Sequence, residues 1–295
     1  MKRIQFFSFT IFIILAVSCN NGGKKKLSTD VTADSCQFDE VSINVGVCYR
    51  AGIGNLAVTF TEADPWIQHF KATYRSTPGM ETSYWVDSCA IGILWDFLEQ
   101  NKKYDGVWVT FACEEATGSK TSIRLVPSKE TSTGDHSSEW AALSGLSIPA
   151  GCTVGDIFNT DDSKAKNFRK NFRKEGGAEV KDLSRKVWVD TCVIHILRTI
   201  INEYKNSTST TKLDGVFIYS AAYDTQLQVG RRPPGYNPAM KQSTVVLVPS
   251  YRCRDERLPA WSVNKFIFDK YVKATGMGGF NHGELCPNAC IPGEN

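Results

Sequence analysis

Two matching pairs of aspartate and cysteine could do chemistry in this chain. Asp87 precedes Cys89 by two positions, and Asp190 precedes Cys192 at the same spacing. A helix N-terminus lowers the pKa of a nearby thiol, which makes the thiol a nucleophile or a metal ligand. An aspartate before a helix is also its usual N-cap and stabilises the first turn by about 1 kcal/mol. We therefore predict a structural role for both pairs, with the cysteines buried or disulfide-bonded.

A second candidate site lies near the C-terminus. His282, Cys286 and Cys290 follow one another at intervals of four residues, and histidine and cysteine are ligands that zinc prefers. Pro287 interrupts this segment, and no fourth ligand stands at a recognised spacing. The sequence leaves two hypotheses for the segment, a zinc site and a disulfide that clamps the C-terminus, and we favour the disulfide.

A third candidate is the loop predicted over residues 228–242. It contains Arg231, Arg232 and Tyr236. Paired guanidinium groups beside an aromatic ring could bind an anionic ligand or an anionic protein surface. The alternative is an exposed loop whose charges only keep the protein soluble.

The elements that must position these residues occur twice. Residues 83–89 read Ser-Tyr-Trp-Val-Asp-Ser-Cys, and residues 186–192, which lie 103 positions later, read Lys-Val-Trp-Val-Asp-Thr-Cys. The offset between matching segments grows along the chain from 98 to 103, 109 and 122. Growth of this kind is expected when a duplicated unit gains insertions in its loops.

The residue pattern of each copy predicts a helix, a strand, a second helix and two further strands. The first helix has Asp64 as its N-cap and Pro65 at its first position, and the second follows Asp87. An Asp-Gly turn then leads into the strand at 105–111, and 122–128 is the last strand. The polar residues 128–144 between the copies, which include His136 and Trp140, are predicted to be a linker or long loop. The matching segments of copy two are 162–173, 186–192 with its following helix, 214–219 and 244–250.

These patterns predict an α+β fold, a tandem duplication of the helix-strand-helix-strand-strand unit with a mainly antiparallel sheet and pseudo-twofold symmetry. Trp85 and Trp188 are predicted to be equivalent buried anchors of the two copies. A disulfide between Cys89 and Cys192 would join the copies if their Cα atoms lie within about 7 Å. His195 stands where copy one has Gly92, which favours a surface or core histidine over a catalytic one.

The N-terminus predicts export. Lys2 and Arg3 precede an apolar run too short for a bilayer, which needs about 20 residues, so residues 1–18 are predicted to be a signal peptide. The end of this run, Ala16-Val17-Ser18-Cys19, resembles the lipobox of bacterial lipoproteins. The resemblance implies acylation of Cys19, through palmitate-like chains, and anchoring to a membrane of the cell envelope. The alternative is an ordinary secretory signal cleaved near Ser18.

Composition restricts the partners and the compartment. Removal of Lys2 and Arg3 leaves 32 basic and 31 acidic residues, which argues against a nucleic-acid-binding protein. The ten cysteines of the chain favour an oxidising compartment.

The polar residues 19–35 are predicted to be a flexible tether. We divide the rest into 36–150, with N-terminal strands and copy one, and 151–295, with copy two, a C-terminal helix and the cysteine-containing tail.

The Trp-Val-Asp, Asp-Gly-Val and Leu-Val-Pro-Ser patterns, together with His282-Gly283-Glu284-Leu285-Cys286-Pro287, resemble exported proteins of the Bacteroidota whose activity is not characterised. That resemblance implies no activity and no cofactor. Duplicated α+β units with divergent loops suit ligand recognition, so we predict a non-enzymatic module that binds a ligand or an envelope protein. The alternatives are an exported metal- or thiol-dependent hydrolase and a structural component of the envelope.

Overall fold

The chain folds into helices packed on antiparallel sheets. The structure, a computed structural model, describes residues 49–50, 54–55, 57–58, 60–74, 76–116, 118–132, 135–173, 183–206, 213–223, 243–250 and 279–280. All of these residues belong to one unit, Cys36–Asn295. The described helices include none that is long and apolar enough to cross a membrane.

The helices have apolar residues spaced three and four positions apart, and this face is buried. In one of them Ile91, Leu94 and Leu98 are buried, and in another Ile194, Leu197 and Ile201 are buried. The described helices are α1 (Phe60–Tyr74), α2 (Ser88–Gln100), α3 (Ser163–Arg173) and α4 (Thr191–Asn206), with a short 3-10 helix at Trp140–Leu143.

The longer strands are rich in valine and other residues that favour extended backbone. The described strands are β1 (Tyr49–Arg50), β2 (Gly54–Asn55), β3 (Ala57–Val58), β4 (Ser83–Asp87), β5 (Gly106–Ala112), β6 (Ser122–Glu130), β7 (His136–Ser138), β8 (Lys186–Asp190), β9 (Gly215–Ala222), β10 (Ser243–Ser250) and β11 (Gly279–Phe280).

Two larger sheets and one pair of short strands result. The four-stranded sheet has the order β7-β6-β5-β8, and the five-stranded sheet has the order β3-β11-β10-β9-β4. β1 and β2 pair separately. Every described pairing is antiparallel. The α+β class predicted from the sequence is therefore confirmed.

The two Trp-Val-Asp strands each pair with the distant part of the chain. β4 pairs with β9, and Asp87 lies opposite Gly215. β8 pairs with β5, and Asp190 lies opposite Gly106 in the same relative register. α2 connects β4 of one sheet to β5 of the other, and α4 connects β8 to β9. The strand pairing thus crosses the boundary that we drew at residue 150.

One core joins both sheets and all four helices. Its members include Phe70 of α1, Val109 of β5, Phe168 of α3 and Ile218 of β9. α1 packs on β9, α3 packs on β5, and α2 packs against α4. Among the described residues, the space between the two sequence halves is therefore packed apolar core rather than an open cleft.

Two predicted boundaries were wrong. α1 begins at Phe60, so Pro65 lies inside the helix instead of at its first position. Asp64 accepts a hydrogen bond from Gln68 at 3.2 Å on the helix surface rather than capping the helix. Residues 128–144, predicted as a polar loop, contain the end of β6, the strand β7 and the 3-10 helix. Apolar burial along α1 outweighs the backbone hydrogen bond that an internal proline removes.

Candidate functional site

Each Trp-Val-Asp strand places its tryptophan over a glycine of the neighbouring strand. A Cβ atom at Gly106 would clash with the ring of Trp188, and one at Gly215 would clash with the Trp85 ring and the Val86 carbonyl oxygen. These glycines begin strands, so their role is close packing rather than the turn that Asp-Gly predicted. We call the two contacts the Trp188 junction and the Trp85 junction.

The aspartates at the ends of these strands cap the following helices. Asp87 Oδ1 accepts a hydrogen bond from the backbone N–H of Cys89 at 2.9 Å, and Asp190 Oδ1 accepts one from that of Cys192 at 2.8 Å. Both carboxylates therefore satisfy a backbone donor that the first helical turn leaves open. Capping of this kind is what the sequence predicted for the two pairs.

The cysteines that follow these aspartates are both disulfide-bonded, but not to each other. Cys89 is bonded to Cys152, with their Cα atoms 5.8 Å apart, and Cys192 is also in a disulfide. The predicted bridge between Cys89 and Cys192 is therefore wrong, because Cys152 lies next to the first turn of α2. Cys113 is free and buried. Burial raises the pKa of the Cys113 thiol, which disfavours a nucleophilic thiolate.

The Trp188 junction contains a network of polar side chains, all buried except Asp105, which is partly exposed. Trp188 Nε1 donates to Ser128 Oγ at 2.7 Å, and Ser128 Oγ donates to Asp105 Oδ1 at 2.7 Å. His136 Nδ1 lies 2.6 Å from Asp105 Oδ2, and the His136 ring stacks on Trp188 with centroids 4.1 Å apart. We call Asp105, Ser128, His136 and Trp188 the polar cluster.

The polar cluster contains the residue types of a serine hydrolase in an order that does not suit catalysis. In a catalytic triad the histidine lies between serine and aspartate, so that it can accept the serine proton. Here Asp105 lies between Ser128 and His136. Ser128 is fully buried, and only 2% of His136 is exposed, so a substrate has no access to this hydroxyl group. The cluster therefore fastens β7 and β8 to the sheet.

The charge of Asp105 is stabilised within the cluster. Burial alone would raise the pKa of Asp105, but hydrogen bonds from His136 and Ser128 outweigh burial and hold the pKa below its ordinary value. Lys186 lies beside the cluster. Its Nζ donates to Ser138 Oγ at 2.6 Å and lies 4.1 Å from the centroid of the Trp108 ring, a cation–π geometry.

An open groove lies in the segment after the 3-10 helix. Its volume is about 410 Å³, within the range of small-molecule sites. Ile148 projects from one wall with 44% of its surface exposed. No other large apolar residue is exposed to this degree among the residues that the structure describes. We call this site the loop groove; it is lined by Leu143, Ser144, Gly145, Leu146, Ile148, Val154, Gly155, Asp156, Phe158, Asn159 and Thr160.

The floor of the loop groove is fixed to the four-stranded sheet. The backbone N–H of Leu125 in β6 donates to the carbonyl oxygen of Ile157 at 2.9 Å. Asp156 Oδ2 lies 3.2 Å from Arg124 Nη2 and 2.9 Å from Lys164 Nζ. Arg124 is 1% exposed, so its guanidinium group is a fixed anchor for the Asp156 carboxylate.

The charged group in the groove lining is already neutralised. The hydrogen bond from Lys164, together with the charge of Arg124, holds the pKa of Asp156 below its ordinary value. Lys164 Nζ also lies 2.7 Å from Glu114 Oε1, so two cationic and two anionic groups are balanced there. Asn159 Oδ1 accepts a hydrogen bond from the backbone N–H of Asp161 at 2.8 Å. The groove therefore offers a ligand apolar side chains beside uncharged polar groups, with no unpaired charge in its lining.

Several residues singled out by the sequence lie outside the residues that the structure describes. They are Cys19, Arg231, Arg232, Tyr236, His282, Cys286 and Cys290, and the predicted C-terminal helix is outside as well. The described ranges contain no group of three or more His, Cys, Asp and Glu side chains placed to hold a metal ion. His195 is exposed and packs against Trp95 of α2, with ring centroids 4.6 Å apart and ring planes inclined at 42°.

The sequence did not single out the groove or most of the polar cluster. Asp105 was noted only as part of a turn, and His136 only as a residue of a polar loop. One available signal was Leu143, Leu146 and Ile148, apolar residues concentrated in a segment between the two copies.

Comparison with protein-family models, with curated proteins and with solved structures found no match to the chain.

Proposed function

We propose that this protein is a lipid-anchored, non-enzymatic binding protein of the bacterial cell envelope, and that the loop groove binds an uncharged, mainly apolar group of its ligand. The observation that carries the proposal is the groove itself, about 410 Å³ in volume, in which five of the eleven lining residues are leucine, isoleucine, valine or phenylalanine and one is charged. Pockets for small molecules have this size and combine apolar side chains with a few polar groups. An ionic ligand would find the Asp156 charge already paired with Lys164 and Arg124.

The polar cluster supports binding over catalysis. Its hydroxyl and imidazole groups are each hydrogen-bonded to the Asp105 carboxylate, and its serine is fully buried. A hydrolase needs a nucleophile that reaches the substrate and a base that reaches the nucleophile. The loop groove, in contrast, is open and contains no free thiol or imidazole in its lining. Recognition is the activity that these two sites favour together.

We also infer that the scaffold arose by tandem duplication with exchange of strands between the copies, so that the halves have pseudo-twofold symmetry. Support comes from hydrogen bonds that recur at matching positions. The bond from Ser88 N–H to Asp214 O matches that from Thr191 N–H to Asp105 O. The bond from Ser220 N–H to Thr82 O matches that from Phe111 N–H to Arg185 O. The bond from Glu81 N–H to Thr121 Oγ1 matches that from Ser184 N–H to Ser243 Oγ.

Attachment through Cys19 is the remaining part of the proposal. It rests on the lipobox-like residues Ala16, Val17 and Ser18 before Cys19. Two or more acyl chains would anchor the protein stably, at about 0.8 kcal/mol per buried methylene group. The intact mass of protein purified from an exporting bacterium decides this part, because the acyl groups add mass in the wild type and cannot do so in Cys19→Ala.

Binding is tested on residues 19–295 carrying Cys19→Ala, which retain every described element. The probe is phenylnaphthylamine, an uncharged fluorophore that brightens in apolar surroundings, and its anionic relative anilinonaphthalene sulfonate is the comparison. We expect saturable binding with preference for the uncharged probe. Ile148→Ser should weaken binding by about tenfold, because it removes apolar contact worth roughly 1.5 kcal/mol.

The matched control is Ile93→Ser, the same substitution at a half-buried position of α2 outside the groove lining. It should leave the affinity for phenylnaphthylamine unchanged. Absence of saturable binding, or equal loss in the two variants, would contradict the groove as the binding site and would favour a purely structural component of the envelope.

A further inference from the structure

One wall of the loop groove, residues 147–151, is tied to a helix by a disulfide next to it in the sequence. Residues 147–151 are exposed, and Ile148 lines the groove from this wall. The Cys152 N–H donates to the carbonyl oxygen of Pro149 at 3.1 Å, a bond within the segment. Among the described residues, no hydrogen bond or ion pair joins 147–151 to another helix or strand. The Cys89–Cys152 bond makes that connection.

The other end of this bond is rigid. Cys89 lies in the first turn of α2, where Asp87 caps its backbone N–H. The next residues, Ala90 and Ile91, are buried in the core. The disulfide therefore fastens an exposed wall to a fixed helix terminus. Leu146 before the wall and Val154 after it pack on the core independently of the disulfide, so the disulfide restrains the exposed residues between them.

We propose that the Cys89–Cys152 disulfide is a redox-controlled latch of the loop groove: the groove binds its ligand in the oxidised protein and loses affinity when the bond is reduced. The inference rests on the proposed function, because it concerns regulation of the same groove. A preorganised wall binds without an ordering cost, whereas a released wall has to be ordered by the ligand.

The reaction needs a reductant, and a dithiol supplies it. A thiolate of the dithiol attacks one sulfur of the disulfide and forms a mixed disulfide, and the second thiolate then displaces the protein sulfur. The Sγ–Sγ bond breaks, Cys89 and Cys152 each gain a proton, and the dithiol closes to its own disulfide. Two electrons pass from the dithiol to the protein.

The test compares the mature chain carrying Cys19→Ala with the same chain carrying Cys89→Ser and Cys152→Ser. Phenylnaphthylamine affinity should fall by about tenfold in the double variant, because the wall must be ordered on binding. The matched control, Cys192→Ser, removes the disulfide of the cysteine at the equivalent helix position and should leave the affinity unchanged. Retained affinity in the double variant, or equal loss in the control, overturns the latch.

Hydrogen exchange of the parent chain during graded reduction by a dithiol gives a second readout that does not depend on folding of the variant. Amides of residues 147–153 should exchange faster as the Cys89–Cys152 bond opens, while those of β5 and β6 keep their protection. Unchanged exchange at 147–153 overturns the latch. If the oxidised chain binds no probe, the proposed binding function fails, and hydrogen exchange still decides whether the disulfide holds the wall.

Discussion

The Trp188 junction and the Trp85 junction share a backbone arrangement and differ in their surroundings. In both, a tryptophan lies over a strand glycine, two residues before an aspartate that caps a helix. Trp188 is 2% exposed and belongs to a small apolar cluster with Trp108 and Val126. Trp85 is half-buried and packs on Phe217 with ring centroids 4.8 Å apart.

The Trp188 junction also leads to the loop groove. A serine, a histidine and an aspartate are hydrogen-bonded around its tryptophan, and β7, which contributes the histidine, continues through the 3-10 helix into the groove. The matching parts therefore hold the fold, and the segment after β7 forms the candidate site. Under the proposed duplication and the proposed binding function, a binding segment was added after copy one without altering the glycine contact.

The largest expected loss of stability comes from adding a Cβ atom at the glycines that lie under Trp85 and Trp188. Gly215→Ala should destabilise the protein by about 3 kcal/mol, because the new Cβ meets a backbone oxygen as well as the Trp85 ring, and overpacking costs roughly 1–3 kcal/mol or more. Gly106→Ala, which meets only the Trp188 side chain, should cost about 2 kcal/mol. Urea denaturation monitored by tryptophan fluorescence measures both.

Gly92→Ala is the control for this pair. Its Cβ would have nothing within 4 Å, and alanine in a helix is favoured over glycine by roughly 0.5–1 kcal/mol, so this variant should be more stable than the wild type. Tolerance of alanine at both Gly106 and Gly215 would mean that the tryptophans do not pack as described, and the comparison of the junctions would fail.

A smaller effect should distinguish the Trp188 junction by its response to acid. Because the pKa of Asp105 is held below its ordinary value, its stabilising contribution is complete above the unfolded-state pKa of about 4 and is lost as pH falls through the folded-state pKa. Asp105→Asn should cost about 2 kcal/mol at neutral pH, through loss of charged hydrogen bonds. The variant should also show a smaller loss of stability between about pH 4 and pH 2.

Urea midpoints measured across this pH range test the prediction. A pH profile in Asp105→Asn that runs parallel to that of the wild type would show that the Asp105 carboxylate contributes no acid-sensitive stability. In that case the polar cluster would not distinguish the two junctions energetically.

Local features of the fold could be predicted from the sequence. The apolar spacing of Ile91, Leu94 and Leu98 predicts the buried face of α2, and Asp87 predicts its cap, because both depend on residues close in the chain. The extent of α1 was harder to predict. Pro65 indicates a helix start, but α1 continues on both sides of Pro65, and it packs on β9, which is distant in the sequence.

Long-range features could not be predicted. The sequence of β4 does not specify whether its partner is β5 or β9, since each of these strands begins at the glycine of an Asp-Gly pair and continues with β-branched and aromatic residues. The partner of Cys89 was equally open, because disulfide connectivity cannot be deduced from spacing. Gly106 and Gly215 were interpreted as turn residues, since the tryptophan above each one comes from a strand far along the chain. His136 entered the polar cluster through β7, a strand too short to show alternation.

The most direct test of the account is whether each Trp-Val-Asp strand pairs with the distant half of the chain. Nuclear Overhauser contacts between ring protons of specifically labelled tryptophan and phenylalanine measure this in solution. We expect contacts of Trp85 with Phe217 and of Trp108 with Trp188, which are opposite one another in β4–β9 and β5–β8. The contradicting result is contacts of Trp85 with Trp108 and of Trp188 with Phe217 in place of the two expected contacts. It would show that β4 pairs with β5 and β8 with β9, within each copy.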